Sequence, residues 1–527
     1  SLRARGAAVG GEAAGVLEAQ AMMAQDPSVE EGIADRTAEG KTAARAIHET
    51  FAEFREMLAG LGDYLAGRVA DLEDIAARAV AFATGVPMPG LPPNEDPYIL
   101  VARDLAPADT ALLDKRLVLA LVTAEGGPTS HTAILARSMG IPAVVGAAGV
   151  LALRDGTPVL VDAAAGTVLA HPAGEEMEAA VVRSFAAVRA ATLSGPGRTA
   201  DGRPVKLLAN IGGAADVPAA LAARAEGVGL FRTEFLYLGS AEPPTFQAQV
   251  KAYRDVFKEF PPGARVVVRT LDAGADKPLP FVPLGKEPNP ALGVRGLRAF
   301  RAFDGRNEPV LRTQLLAIRA AAGTTAADVW VMAPMVDGAP EAEWFCDLAA
   351  ACDLDVADGR VGIMVETPAA ALTAGPILAG RTGFISLGTN DLTQYTMAAD
   401  RLLGTLGPLQ DPWHPAVLNL IGAAAAAGRA AGKPVGVCGE AAADPLLACV
   451  LVGLGVGSLS MAPSAIAEVR AALAARTLAD CEQLAARAAI APTARQARKA
   501  AAQGWPPPHP TGGATGRRAR CDPDQSA

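Results

Sequence analysis

The residues with the clearest chemical content lie in Glu125-Gly-Gly-Pro-Thr-Ser-His-Thr-Ala-Ile-Leu-Ala-Arg-Ser-Met-Gly140. Two glycines and a proline predict a tight turn, and Ser130 is of the type preferred at a helix N-cap. Ile134, Leu135 and Met139 then give one apolar face, and Gly140 is placed to stop the helix. That puts His131 in the first helical turn. Free backbone N–H groups and the positive end of the dipole favour an anion there and disfavour imidazolium. A neutral imidazole with its lone pair beside an anion seat is suited to accept a phosphoryl group. A capping turn that happens to carry a histidine is the plainer alternative.

A second set of reactive residues sits where apolar runs end. Arg232 in Gly-Leu-Phe-Arg-Thr-Glu-Phe, Arg269 in Val-Arg-Thr-Leu-Asp and Arg401 in Ala-Ala-Asp-Arg offer forked donors for phosphate oxygens. Glu366 in Met-Val-Glu-Thr-Pro and Asp391 in Gly-Thr-Asn-Asp-Leu-Thr are carboxylates at successive run ends. Such a pair suits Mg²⁺, which takes few carboxylates and completes its shell with substrate oxygens and water. Cys438 in Val-Gly-Val-Cys-Gly-Glu is either a buried structural thiol or one placed for proton transfer.

The elements that must hold these groups show as periodicity. Eight strand-like apolar runs occur at 205–211, 228–232, 266–270, 329–335, 361–366, 384–388, 434–438 and 458–461, separated by helix-length segments. Eight βα units in this span predict a (β/α)₈ barrel, whose chemistry belongs at the C-terminal strand ends. Asn210, the three arginines, the two carboxylates and the thiol fall there or just beyond. Upstream, Ile47, Phe51, Phe54, Leu58, Leu61, Leu65, Val69, Leu72 and Ile75 recur at three- and four-residue steps and predict a continuous helical stripe. Gly85 to Pro97 reads as a linker. Runs at 98–102, 117–122, 142–146 and 158–162 predict a small α/β domain around the histidine segment. The expected divisions are 1–90 helical, 91–172 small α/β, 173–198 helical linker, 199–495 barrel and 496–527 a disordered tail.

The 527 residues carry a formal charge of −9 and no Lys/Arg cluster interleaved with aromatics, which argues against nucleic acid as a partner. An acidic protein that handles phosphates must gather its positive charge locally, which is what the arginines would do. The six cysteines lack CxxC or disulfide spacing and read as free thiols in a reducing cytoplasm. No signal-peptide region opens the chain. The uncharged run Pro445 to Ala467 is long enough to cross a bilayer. Its prolines and alternating glycines predict a helix, a turn and a buried strand instead, so no membrane insertion is expected.

The histidine segment closely resembles the phosphohistidine signature of the phosphoenolpyruvate-utilising enzymes, and in detail that of enzyme I of the bacterial sugar phosphotransferase system. The resemblance runs from about residue 90 to 480. It implies an α/β multidomain protein with a helical region that binds the phosphocarrier HPr, a swivelling phosphohistidine domain and a phosphoenolpyruvate-binding barrel. By that resemblance Arg232, Arg269 and Arg401 hold the phosphate with help from Asn390, and Glu366 and Asp391 bind Mg²⁺. Arg295 in Asn-Pro-Ala-Leu-Gly-Val-Arg-Gly and Lys277 in Asp-Lys-Pro-Leu-Pro join the substrate-binding set. Cys438 corresponds to the acid that turns enolpyruvate into pyruvate. It further implies a homodimer through the barrel and transfer from phosphohistidine to HPr. Two departures stand out. The chain begins with Ser and lacks an opening segment the family normally has, and Pro128 stands where many relatives have a basic residue. The nearest alternatives are a pyruvate phosphate dikinase or phosphoenolpyruvate synthase, for whose ATP-binding domain there is no room, and a non-catalytic regulatory phosphoprotein.

Overall fold

The structure is a computed structural model that describes residues 23–59, 69–86, 94, 96–105, 107–110, 113–114, 116–126, 132–133, 136, 139–163, 166–174, 176–177, 180, 193–237, 240–274, 279–285, 287–301, 305–401 and 403–503. The chain divides into two compact units, Ser1–Met177 and Glu178–Ala527.

The first unit opens with helices α1 (Pro27–Ala38), α2 (Ala43–Ala59) and α3 (Val69–Thr84). Asp26 caps α1 by accepting from the Ser28 N–H at 2.9 Å. The expected apolar stripe is not one helix. It is shared between α2 and α3, so that Ile47 and Phe51 pack with Leu72 and Ile75 around Val29; Leu61 and Leu65 lie outside the described residues. A helical period is preserved across a break when both segments bury the same kind of face. Arg78 of α3 is held by Asp74 at 2.8 Å and Asp109 at 2.6 Å.

Strands β1 (Tyr98–Ala102), β2 (Val118–Thr123) and β3 (Ala143–Val144) form a parallel three-stranded sheet. A separate antiparallel hairpin pairs β4 (Val159–Asp162) with β5 (Thr167–Ala170), a strand the apolar runs did not reveal. Between β2 and β3, Thr132, Ala133, Ala136 and Met139 are helical, and Gly140 takes φ +70°. The Ile141 N–H donates to the Ala136 carbonyl at 2.9 Å, closing that helix end as expected. The Thr132 hydroxyl donates to Asp104 Oδ1 at 2.9 Å and to the Leu105 carbonyl at 3.1 Å. His131 and residues 127–130 lie outside the described residues, as do much of the expected linkers and everything after 503.

The second unit is a closed barrel of eight parallel strands in the order β10-β11-β12-β13-β6-β7-β8-β9. They are β6 (Lys206–Ile211), β7 (Gly227–Arg232), β8 (Arg265–Arg269), β9 (Asp328–Ala333), β10 (Val361–Val365), β11 (Ile385–Leu387), β12 (Val435–Val437) and β13 (Ser458–Met461). Each coincides with an expected run. The strands read as continuous apolar stretches because helices cover them outside while Leu230, Val267, Trp330, Met332, Met364 and Phe384 fill the bore. The first strand closes on the last, with Leu207 opposite Leu459.

The uncharged run resolves into helix Pro445–Gly453, strand β13 and a short 3₁₀ turn. Among the described residues no helix is long and apolar enough to cross a membrane. Trp413 and His414 now have roles. Trp413 is fully buried with its indole N–H on Asp444 at 3.0 Å, and His414 caps helix Pro415–Ala431 by accepting from the Ala416 N–H at 3.2 Å.

Candidate active site

Strand ends bring the sequence-predicted groups of the second unit to one mouth. Arg232 ends β7, Arg269 ends β8, Glu366 follows β10 by one residue and Cys438 follows β12 by one. Helix α4 (Thr389–Met397) begins two residues beyond β11, which sets Asn390 and Asp391 in its first turn. Gly388 makes the junction. A Cβ there would stand 2.7 Å from Glu366 Cγ and Oε1, so the backbone can pass the carboxylate only without a side chain. Thr367 caps the next helix by accepting from the Ala370 N–H at 3.2 Å, which fixes the peptide after Glu366.

The side chains form one buried ionic network. Arg295, only 1% exposed, donates from Nη1 to Asp391 Oδ1 and from Nη2 to Asp272 Oδ2, each at 3.1 Å, and also to the Tyr395 hydroxyl at 3.1 Å. Arg401 reaches the other Asp391 oxygen at 3.2 Å. Arg269 pairs with Glu234 at 2.9 Å and stands 3.7 Å from Asp272 and 4.0 Å from Glu366. Its buried Nε has no hydrogen-bond partner among the described residues. Glu366 Oε2 accepts from the Met335 N–H at 2.8 Å, in a loop where Met335 adopts φ +53°. Asn390 accepts from the Glu440 N–H at 3.1 Å, and Asn210 donates to the Cys438 carbonyl at 3.0 Å. Lys277 lies outside the described residues.

Charge is tightly balanced: Arg232, Arg269, Arg295 and Arg401 face Glu234, Asp272, Glu366 and Asp391. Burial, reinforced by Asp391 and Asp272, pushes Glu366 up to about 7 against the pull of Arg269 and Arg295. For Arg269 burial acts downward, but Glu234, Asp272 and Glu366 outweigh it and hold the guanidinium well above its usual range. Arg232 has no ion pair among the described residues. Desolvation by the walls of the mouth and the like charge of Arg269 pull it below the usual range, although the residue remains open to solvent. Burial pushes the Cys438 thiol up to about 11, with the Ser386 hydroxyl acting the other way. The thiol is therefore protonated at neutral pH, and it donates to the Leu387 carbonyl at 3.6 Å.

Two guanidiniums side by side with donors to spare suit an anion with several oxygens. Two carboxylates whose charges burden each other suit a hard cation. Among the described residues no three acidic, histidine or cysteine side chains make a complete cage, so water or substrate oxygens would finish any cation's shell. Sequence reasoning missed Glu234, Asp272 and Tyr395, which orient the arginines. Glu234 and Asp272 stand two and three residues beyond Arg232 and Arg269, inside the quoted motifs. An acid so close after a strand-end arginine was the available signal.

Comparison with known proteins agrees with this architecture. The family model described as PEP-utilising enzyme, PEP-binding domain, matches residues 187–478; the mobile-domain model matches 94–166 and the N-terminal model 1–68. A phosphoenolpyruvate-protein phosphotransferase of Streptomyces coelicolor is 56% identical over 504 residues, covering 95% of this chain and 89% of the relative. One of Haloferax volcanii is 41% identical over 494 residues, covering 92% and 86%. A multiphosphoryl transfer protein of Xanthomonas campestris is 40% identical over 508 residues, covering 94% and 60%.

Proposed function

Because the chain belongs to the PEP-utilising enzymes and to their phosphoenolpyruvate-protein phosphotransferases, we propose that its barrel mouth takes phosphoenolpyruvate, that His131 receives the phosphoryl group, and that HPr is the next acceptor. The observation that carries the reading is the unpaired Arg232 beside Arg269 with its unspent Nε. These two, with Arg401, Asn390 and Lys277, bind the phosphate and carboxylate, and Arg295 holds Asp391 and Asp272 in place. The histidine Nε2 bonds to phosphorus as the bond from phosphorus to the enolic oxygen breaks, and most of the rate comes from positioning and charge. Cys438 gives its proton to the enolate carbon, yielding pyruvate. The test is release of pyruvate in step with phospho-HPr when enzyme, phosphoenolpyruvate, Mg²⁺ and HPr are combined. Pyruvate without phosphoprotein, or neither product, would overturn the reading.

The donor set fits Mg²⁺ at Glu366 and Asp391. With Arg269, Arg295 and Arg401 already paired to carboxylates, little positive charge is left for a highly anionic substrate, and a divalent cation would supply more when bound. Glu366 makes the affinity pH-dependent. Below about 7 the proton occupies it, so the Mg²⁺ concentration for half-maximal turnover should rise by about tenfold per pH unit as pH falls below 7. Glu366→Ala or Asp391→Ala should sharply reduce turnover. Either variant keeping normal activity at limiting Mg²⁺ would remove that residue as a ligand. Without metal, the raised pKa of Glu366 stabilises the fold fully below the ordinary value of 4.5, and that contribution is lost as pH rises through about 7. Glu366→Gln should flatten that part of the pH–stability curve.

Cys438→Ala should keep its affinity for phosphoenolpyruvate while pyruvate formation falls by about 10²–10⁴, the range for losing a positioned acid. Equal loss of binding would mean the thiol only packs. By resemblance to enzyme I the enzyme works in the cytoplasm as a homodimer through its barrel. Sedimentation as a monomer at micromolar protein with Mg²⁺ and phosphoenolpyruvate would count against the dimer.

A further inference from the structure

Barrel bores are usually filled by branched aliphatic side chains. The bore beneath Cys438 is not. Ser386 of β11, Gly436 of β12 and Ser458 of β13 stand in register across three neighbouring strands. Cys438 and Ser460 lie two residues further on along their strands, and so share the same inward face. Gly436 and Gly229 let the serine side chains of the next strand press against the backbone. A Cβ on Gly436 would come 2.5 Å from Ser458 Oγ, and one on Gly229 would come 2.5 Å from Ser460 Oγ.

Ser386, Ser458, Ser460, Gly229, Gly436 and Arg265 line a cavity of about 20 Å³ there. That is room for one water with several polar partners, by the requirement of roughly 10–15 Å³ per enclosed water. At the upper end, Ser460 donates to Asn210 Oδ1 at 2.6 Å, and Asn210 holds the Cys438 carbonyl. At the lower end, Ser458 and Arg265 are half-buried at the strand starts, on the barrel face opposite the substrate mouth. Arg265 lies over the Trp330 ring, 3.6 Å from its centroid, with its Nε unpartnered among the described residues.

We propose that this bore is a proton relay that returns a proton to Cys438 from the N-terminal face of the barrel, with Ser386 as the relay residue beside the thiol. The proposal rests on the reading of Cys438 as the acid that makes pyruvate. Once the thiol has given its proton to the enolate carbon, a thiolate remains in a pocket 1% exposed. The Ser386 hydroxyl then passes its hydrogen to sulfur while the cavity water passes one to the serine oxygen. The hydroxide left behind is neutralised by solvent at the lower end, beside the Arg265 cation. The proton that becomes part of the pyruvate methyl group thus enters from the side away from the substrate.

Isotope exchange at equilibrium isolates this step. With phosphoenolpyruvate, Mg²⁺ and carbon-labelled pyruvate in D₂O, carbon exchange needs only that Cys438 hand the same hydrogen back and forth. Deuterium appears in the pyruvate methyl group only if the thiol also exchanges with solvent. In the unaltered protein deuterium should accompany each carbon exchanged. In Ser386→Ala, and in the bore-filling Ser458→Val, the ratio of deuterium incorporated to carbon exchanged should fall at least tenfold, and Ser386→Thr should restore it. A ratio unchanged in both variants would overturn the relay, because the proton would then come through the mouth. Carbon and deuterium exchange falling together would also overturn it, leaving Ser386 a packing role. Cys438→Ala keeps the underlying reading separate: pyruvate formed and deuterated normally without that thiol would refute Cys438 as the acid.

Discussion

A chain carrying His131→Ala is expected to take up no acid-labile label from phosphoenolpyruvate at any Mg²⁺ concentration. The loss should be complete because covalent transfer needs a nucleophile, and the positioned arginines cannot replace one. The protein has five histidines, and only His131 lies in the phosphohistidine-like segment. His414, for example, spends Nδ1 on capping a helix. The neighbours of His131 are fixed by other groups: Thr132 through Asp104 and Leu105, and Gly140 at the helix end. Stability should change by no more than about 0.5 kcal/mol, since a phosphoryl acceptor must be open to its donor rather than packed in a core. Label remaining on another residue of the variant would sink the assignment, and it is read by digestion of the labelled chain and mapping of the phosphopeptide.

The second large effect belongs to Arg295. It is among the best-buried charges of the mouth and bridges Asp391 and Asp272, which are themselves buried. Arg295→Met should remove turnover of phosphoenolpyruvate and destabilise the barrel unit by about 3–5 kcal/mol, the usual result of leaving buried charge uncompensated. Arg295→Lys should recover only part of this, since a single ammonium cannot span two carboxylates as the guanidinium fork does. Urea unfolding followed by far-ultraviolet circular dichroism measures both. A loss below about 1 kcal/mol in the methionine variant would mean that the network relaxes or takes up protons, and that Arg295 matters only for substrate.

The eight barrel strands were legible because each is buried on both faces and reads as an unbroken apolar run between helical segments. β5 was not, because alternate residues of Thr167–Ala170 are exposed and the hairpin buries too little to leave a pattern. The α2–α3 break was hidden for the opposite reason, since both helices carry the same period. At the mouth, Arg232, Arg269, Glu366 and Cys438 could be picked out as polar residues ending apolar runs. Their counter-charges were marked only by their closeness after those arginines, and which arginine each would meet was not legible. Asp272 and Glu234 look like ordinary loop acids until the strands curve round, and Asp272 meets an arginine 23 residues along the chain. The serines and glycines of the bore were passed over because small residues within strands carry no signal of what lies across the barrel.

The closure of β6 against β13 governs how the molecule comes into being. Ser460 and Asn210 are hydrogen-bonded across 250 residues of chain, and the Ala200 N–H donates to the Arg476 carbonyl just outside the same seam. At about 5–20 residues per second of synthesis, the first strand waits roughly 10–50 s with one edge unpaired before its partner exists. During that wait the open sheet exposes backbone donors and acceptors that invite pairing with other chains. Folding of the barrel should thus be slow, dominated by a contact of very long sequence separation, and dependent on protection of the nascent chain. A chain that stops before Ser458 carries all of the arginines and carboxylates of the mouth but not the ring that aims them.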